Sequence, residues 1–485
     1  MSGNRRKSTA IVIGSGPNGL AAGIVLAQAG FDVEVREASE QPGGGARSGE
    51  LTLPGFIHDF GSAVHPMAVG SPFFSRLPLH DHGLKWIWPA AQLAHPFDDG
   101  SAVTLELDAR QTAAQLGSDG PAYRRLFEPL VEHWPELARD VLGPLRFPRH
   151  PLLLAQFGLR ALQPCTFLAK SIFQNERARA FFAGICAHST LKLEAPLSAA
   201  FGMMLGAAGH AVGWPVPQRG AQSISNALIG VLQSLGGRVI TGSRVDSLRQ
   251  VRGHDLTMCD VTPRQFLSLA KGELRRPFRE LLEQYKYGPG VYKVDWALRE
   301  PVPWRAKECL RSVTVHLGGS LDEIAASERA ANEGPNEGRP NGPNEGQSPQ
   351  LPFVLLAQPS LFDSTRAPDG KHTLWGYCHV PNGWTGSALS QIEAQIQRFA
   401  PGFRECVLAR SVHGPGDMQC WNSNLVGGDI NGGEPNMKQF AMRPTWRRYS
   451  TPLKGVYFCS SSTPPGGGVH GMCGYWAAQW ALKKA

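Results

Sequence analysis

Residues 10–37 alternate between a short apolar run, Ala10 to Ile13, a glycine-punctuated turn, a mostly apolar stretch, and the alternating segment VEVRE. The pattern predicts strand, tight turn, helix and strand, with Gly30 standing where a helix C-cap belongs. Residues 76–214 read as helical and irregular, with amphipathic pieces such as YRRLFEPLVEHW and a Pro-punctuated region from Pro144 to Pro164. From Trp214 to Val245 a turn, a helix and a strand follow in α/β style. Beyond residue 276, segments such as VYKVDWAL, VTVHL, FVLLAQ and TLWGYCHV predict a mainly antiparallel sheet.

The expected fold class is therefore α/β locally and α+β overall. A Rossmann-like dinucleotide domain would be assembled from 1–75, 215–275 and 431–485, with a substrate or cap domain inserted as 76–214 and 276–430. That inserted domain combines helices with the mainly antiparallel sheet. Residues 327–350 are expected to be a disordered insertion, because GPNEG occurs twice there and apolar side chains are nearly absent. Ordering some twenty residues costs roughly 20–40 kcal/mol of backbone entropy, with little apolar burial to offset it.

The first turn carries G-x-G-x-x-G as Gly14, Gly16 and Gly19, with Pro17 and Asn18 opening the helix. The glycines serve a tight turn, close backbone approach to a pyrophosphate, and close packing of helix on strand. Free N–H groups and the positive helix end then face the phosphates. Glu37 closes the second strand, where an acidic side chain accepts hydrogen bonds from a ribose diol. The bland alternative is a glycine-rich strand-to-helix turn with Glu37 merely solvated.

A second glycine loop, Gly43, Gly44 and Gly45, is followed by Arg47, which can bond a phosphate or a ring edge. A plain nicotinamide site has no need of such a loop. The far C-terminus repeats strand, glycine turn and helix in GVYFCSSSTPPGGGVHGMCGYWAAQWAL. There Gly466 to Gly468 and Gly471 can present backbone amides to a ligand ring, and Ser460 to Ser462 can reach its phosphate or sugar-chain oxygens. A helix starting near Gly474 would aim its dipole at the same ring.

Charge and cysteines narrow the picture only slightly. The formal net charge is +8, but Lys and Arg are spread along the chain, which fits a solvated basic surface better than a nucleic-acid patch. The nine cysteines include no C-x-x-C pair, so neither a dithiol redox centre nor a zinc site is expected. Dispersed thiols and the absence of an apolar signal core before Ala10 read as a cytoplasmic protein without a transmembrane helix. The charge-free stretch Ala195 to Gln218 reads as a buried helix and turn rather than a span.

The N-terminal fingerprint with GGGARS, the stretch HDFGSAVHP, YGPGVYKVDWAL and STPPGGGVHGMCGYWAA together resemble the phytoene desaturase branch of the FAD-dependent oxidoreductases. The resemblance extends over nearly the whole chain. It implies FAD lined by Gly14, Gly16, Gly19, Glu37, Gly44, Arg47, Val245, Gly467 and Val469, with Pro17, Asn18, Gly45, Ser461 and Gly468 beside them, and a cavity for a hydrophobic substrate. Val245 matches a position whose backbone meets the adenine; a plain core valine would look the same. One departure stands out: only RQVRGHD joins SRVDSL to LTMCDVTP, where relatives carry a longer β-hairpin. The shortening leaves Val245 and Asp260 in place but puts the local sheet in doubt.

The expected reaction is dehydrogenation, with hydride passing from a substrate C–H to the flavin and electrons leaving to oxygen or a quinone. His65 and His470 are the catalytic candidates, each with a structural role as its rival reading. An amine oxidase-like enzyme, or a non-catalytic flavoprotein acting as a regulator, are the other readings. Peripheral membrane association is a further expectation, through the stretch near Met203 or the amphipathic segment Leu152 to Phe173.

Overall fold

The computed structural model describes residues 7–333 and 351–484. The first strand, β1 (Thr9–Ile13), leads through the glycine turn into α1 (Pro17–Gln28) and on to β2 (Asp32–Arg36). Gly16 caps α1 with extended backbone and Pro17 fills its first turn, where the missing N–H costs nothing. Gly14 and Gly30 adopt positive φ, as the tight turn and the helix end require.

β1 lies third in a five-stranded parallel sheet ordered Val456–Phe458, Leu256–Cys259, β1, β2, Arg238–Ile240. The shortened connection forms a single 3-10 turn, Leu248–Val251, and enters Leu256–Cys259 directly. That strand pairs in register with β1 from Ala10–Leu256 to Ile13–Cys259, so the missing hairpin leaves the sheet intact. The second sheet has seven strands, in the order Val407–His413, Gly290–Leu298, His372–Val380, Val354–Ala357, Ser312–Leu317, Ala91–Pro96, Ala102–Leu105. All its pairings are antiparallel except that of Ser312–Leu317 with Ala91–Pro96.

Two expectations are corrected. Residues 327–333 are helical, as the end of the Leu321–Glu333 helix. Leu321, Ile324, Ala325, Glu328 and Ala331 recur at helical spacing and are buried, and Glu328 accepts from His379 Nδ1 at 2.8 Å. The composition argument overlooked this periodicity; the remainder of the expected insertion, 334–350, lies outside the described residues. The stretch near Met203 forms the Ser198–Ala211 helix and Met203 is fully buried, which removes it as a membrane contact.

α1 is buried over nearly its whole circumference, between the Gln222–Ser234 helix and the C-terminal Met472–Leu482 helix. The C-terminal helix begins two residues earlier than the Gly474 expected from sequence. Gly474 is needed for the approach itself: a Cβ there would lie 1.8 Å from the Asn18 carbonyl oxygen. We expect Gly474→Ala to lower the unfolding free energy by about 1–3 kcal/mol in urea denaturation. Gly416→Ala, at an exposed helical position with nothing within 4 Å, is the control and should be neutral. Equal stability of the two variants would show that the helices tolerate separation.

Candidate functional site

The two sheets and the helices over them enclose one continuous cavity of about 1250 Å³. At one end its wall is backbone and polar groups from the glycine loops; at the other it is apolar. The apolar floor comes from the seven-stranded sheet, through Thr314, Leu355, Ala357, Trp375 and Tyr377. Leu154, Phe157 and Ala161 of the Pro151–Ala161 helix and Phe201 and Met204 of the Ser198–Ala211 helix face it. The volume exceeds the roughly 300–1,000 Å³ of ordinary small-molecule pockets, which leaves room for a large ligand and a second molecule.

Gly14, Gly16, Pro17, Asn18, Glu37, Gly44, Gly45, Arg47, Val245, Ser461, Gly467, Gly468 and Val469 all line this cavity, as do His65 and His470. Residues from both chain ends thus meet around it. Gly19 lies behind the wall, where a Cβ would sit 2.2 Å from the Gly14 carbonyl oxygen, so its role is the close packing of α1 on the turn. Gly44 brings the second glycine loop against the first, its missing Cβ being 3.0 Å from Gly16 Cα.

Glu37 is held in place by its own loop: Oε2 accepts from Ser15 N at 2.9 Å and Ser15 Oγ at 2.7 Å, and Oε1 from Ser39 N at 2.9 Å. A carboxylate has about four lone-pair sites, so one remains for a diol. Arg47 is engaged more fully than its sequence context implied. Its guanidinium donates to Gly44 O, Ser39 Oγ and Trp421 O at 2.9, 3.1 and 2.8 Å, and it lies 5.1 Å over the Phe60 ring. Three of its five N–H groups are therefore taken up by Gly44, Ser39 and Trp421, leaving two for a ligand. Burial lowers its pKa, opposed by Glu37.

Three cavity-lining residues carry a buried polar atom with no hydrogen-bond partner among the described residues: Asn18 Oδ1, Ser62 Oγ and His65 Nε2. Unpaired buried polar atoms are costly, and a polar ligand is one means of satisfying them. Together with the glycine cradle and the positive end of α1, they fit a dinucleotide whose diphosphate lies on the loop. Val245 is buried at the polar end, and neither its N–H nor its C=O is bonded among the described residues.

The two histidines differ. His470 Nδ1 accepts from Met472 N at 3.0 Å, and its carbonyl accepts from Ser71 Oγ at 2.7 Å, so its ring caps the C-terminal helix. His65 lines the cavity, and its Nε2 is buried with no hydrogen-bond partner among the described residues. Burial holds both rings down at about 4, so each is neutral near pH 7.

Sequence reasoning missed a buried charged cluster behind the Trp375 and Trp421 wall. Lys293 is ion-paired with Asp295, and its Nζ lies 5.6 Å from the Trp375 ring centre and 5.7 Å from that of Trp421. Asp295 also faces His58 Nδ1 at 3.5 Å and His413 Nε2 at 3.8 Å, and Arg366 pairs with Asp59 beside it. Burial pushes Lys293 down and Asp295 up to about 6, with the mutual attraction opposing both. The signal was present in VYKVDWAL: charges at i and i+2 share one face of a strand, and both fall inside an apolar run.

Residues 12–77 match the NAD(P)-binding Rossmann-like domain. Pyridine nucleotide-disulfide oxidoreductase domain-containing protein 2 of Rattus norvegicus is 25% identical, over 97% of this chain and 92% of that protein. The zeta-carotene-forming phytoene desaturase of Myxococcus xanthus is 24% identical, over 97% of this chain and 92% of its own length. A putrescine oxidase solved with putrescine shares the fold with a TM-score of 0.61 and 17% identity, over 99% of both chains. The chain is thus a relative of the phytoene desaturase-like FAD-dependent oxidoreductases, built as a mixed α/β fold on a Rossmann-like dinucleotide-binding domain.

Proposed function

We propose that the protein binds FAD along the two glycine loops and dehydrogenates a hydrophobic, polyene- or lipid-like substrate at a C–H bond. The observation that carries this reading is the continuity of one cavity from the diphosphate cradle to an apolar chamber floored by Trp375 and Tyr377. FAD supplies a hydride acceptor at N5 when bound. The chain's own contribution is orientation and exclusion of water: Leu154, Phe157, Phe201, Met204 and Leu355 surround a long apolar molecule without offering a competing hydrogen bond. His65, neutral and unpartnered at Nε2, can take a hydrogen bond or a proton at that atom; His470 acts through its helix cap. With one dinucleotide fingerprint in the chain, electrons leave to oxygen or a quinone.

An amine oxidase-like reaction is the second reading, favoured by Lys293, which lies one layer behind the Trp375 and Trp421 wall. The likeness of fold to a putrescine oxidase points the same way. Anaerobic mixing of the purified flavoprotein with a polyene in micelles should bleach the visible flavin band, while a primary aliphatic amine should leave it unchanged. Bleaching by the amine alone would replace the first reading with the second. Bleaching by neither compound would contradict both readings and favour a non-catalytic regulator.

The substrate route is proposed to start at a membrane surface. Among the described residues no single helix is long and apolar enough to cross a membrane, but Pro151–Ala161 and Cys165–Ile172 are jointly apolar and bent by 100°. Leu152, Leu159, Phe147 and Phe167 are exposed by 80, 73, 88 and 62% there, and Arg149 and Arg160 stand exposed beside them to meet anionic headgroups. Leu145 and Leu162 are exposed and also line the cavity, which places its mouth at this patch. Leu152 and Leu159 are exposed, whereas Leu153 and Leu154 are half-buried, so a charge at Leu152 and Leu159 alters the surface and not the cavity wall. The protein should co-sediment with phosphatidylglycerol vesicles and the Leu152→Asp/Leu159→Asp variant should not. Unchanged pelleting of the variant would remove the proposed surface.

A further inference from the structure

Asp260 follows the Leu256–Cys259 strand and is buried beneath the first glycine loop. Its Oδ2 accepts from Gly19 N at 3.0 Å and also faces the Gly16 amide. A Cβ on Gly16 would lie 2.6 Å from that oxygen, and one on Gly14 would lie 3.2 Å from Asp260 Cβ, so the loop rests directly on this side chain. Asp260 is therefore a carboxyl group at the end of α1 where anions collect, and it also lines the cavity at the cradle. Oδ1 has no hydrogen-bond partner among the described residues.

Among the described residues, the groups packed around it offer no compensating cation. Glu37, from the end of β2, acts on it with the same sign as its own charge. Cys259 at the end of the preceding strand, Cys459 just past the neighbouring strand and Cys473 on the C-terminal helix are thiols that burial pushes up, so they stay neutral. Asn424 donates to its carbonyl oxygen at 2.8 Å, and the loop Gly14 to Asn18 carries no charge. A dinucleotide diphosphate would add further negative charge beside a carboxylate already shielded from water, and like charges at close range cannot both persist there.

Resting on the FAD-binding reading above, we infer that Asp260 belongs to the diphosphate cradle in its neutral form, so that cofactor binding takes up one proton at this carboxyl. The balance is simple: carboxylate, proton and dinucleotide give the complex with Asp260 as a carboxylic acid. In that form Oδ2 keeps the Gly19 amide and Oδ1 carries a proton that it can donate to a phosphate oxygen. Burial already raises the free carboxyl to about 7, and bound diphosphate raises it further. Affinity is therefore full below that value and lost as pH rises past it.

The test is a fluorescence titration of flavin-free protein with FAD. Kd of the wild type should rise about eightfold from about pH 7.5 to about pH 8.5. Asp260→Asn keeps an acceptor for Gly19 N and removes the charge, so its Kd should change less than about twofold over the same range and be the lower one at the alkaline end. Calorimetry of the wild type in two buffers of different ionisation enthalpy, near about pH 8, should report uptake of close to one proton. That second measurement holds even if the variant does not fold. Binding that is flat in pH, or no proton uptake, overturns this inference alone. Absence of FAD binding by wild type at every pH overturns the proposed function and this inference with it.

Discussion

Gly474 approaches the Asn18 carbonyl so closely that a single methyl group would fall 1.8 Å from the oxygen. That contact sets the position of the C-terminal helix against α1, and with it the position of the glycine turn Gly466 to Gly468 relative to the first loop. The consequence is a site whose two walls are more than 400 residues apart in sequence. The second glycine loop is locked into the same assembly, with Gly44 against Gly16 and Arg47 bonded to Trp421 O. Asp260 lies where these ends meet, under the first glycine loop.

Charged side chains that line the cavity include Arg36, Glu37, Arg47, Arg244, Asp260 and Arg443. Glu37 and Arg47 are mostly satisfied by their own loops, which fixes them in place before any ligand arrives. Lys293, Asp295, His58, Asp59 and Arg366 form a network one layer behind the aromatic wall, where pairing offsets a desolvation cost no isolated charge would tolerate. The chamber itself stays apolar.

How far the fold was legible depended on the range of the interactions. The β1–α1–β2 unit was readable to within a residue at its strand ends, because period, turn glycines and the closing Glu37 are local signals. The discontinuous sheet followed from repeats of the strand–turn–helix pattern. What sequence did not supply was non-local. The parallel pairing of Ser312–Leu317 with Ala91–Pro96, the capture of Arg47 by Trp421 O and the clustering of Lys293 with His58 and Asp59 each join distant segments. The helix over Leu321–Glu333 was a different failure, since its apolar spacing was present and a low-complexity neighbour obscured it. The shortened link before Leu256 raised a doubt that backbone pairing resolves, because Leu256–Cys259 needs only β1 and Val456–Phe458 as neighbours.

The proposed site requires both chain ends to close on one flavin dinucleotide. The direct measurement is an absorbance spectrum of the purified protein, followed by mass analysis of the small molecules released on denaturation. The protein should be yellow and release FAD in a one-to-one ratio with the chain, either as isolated or after incubation with the cofactor below neutral pH. A colourless protein that remains so after that incubation, or one that releases a nicotinamide dinucleotide instead, would contradict it.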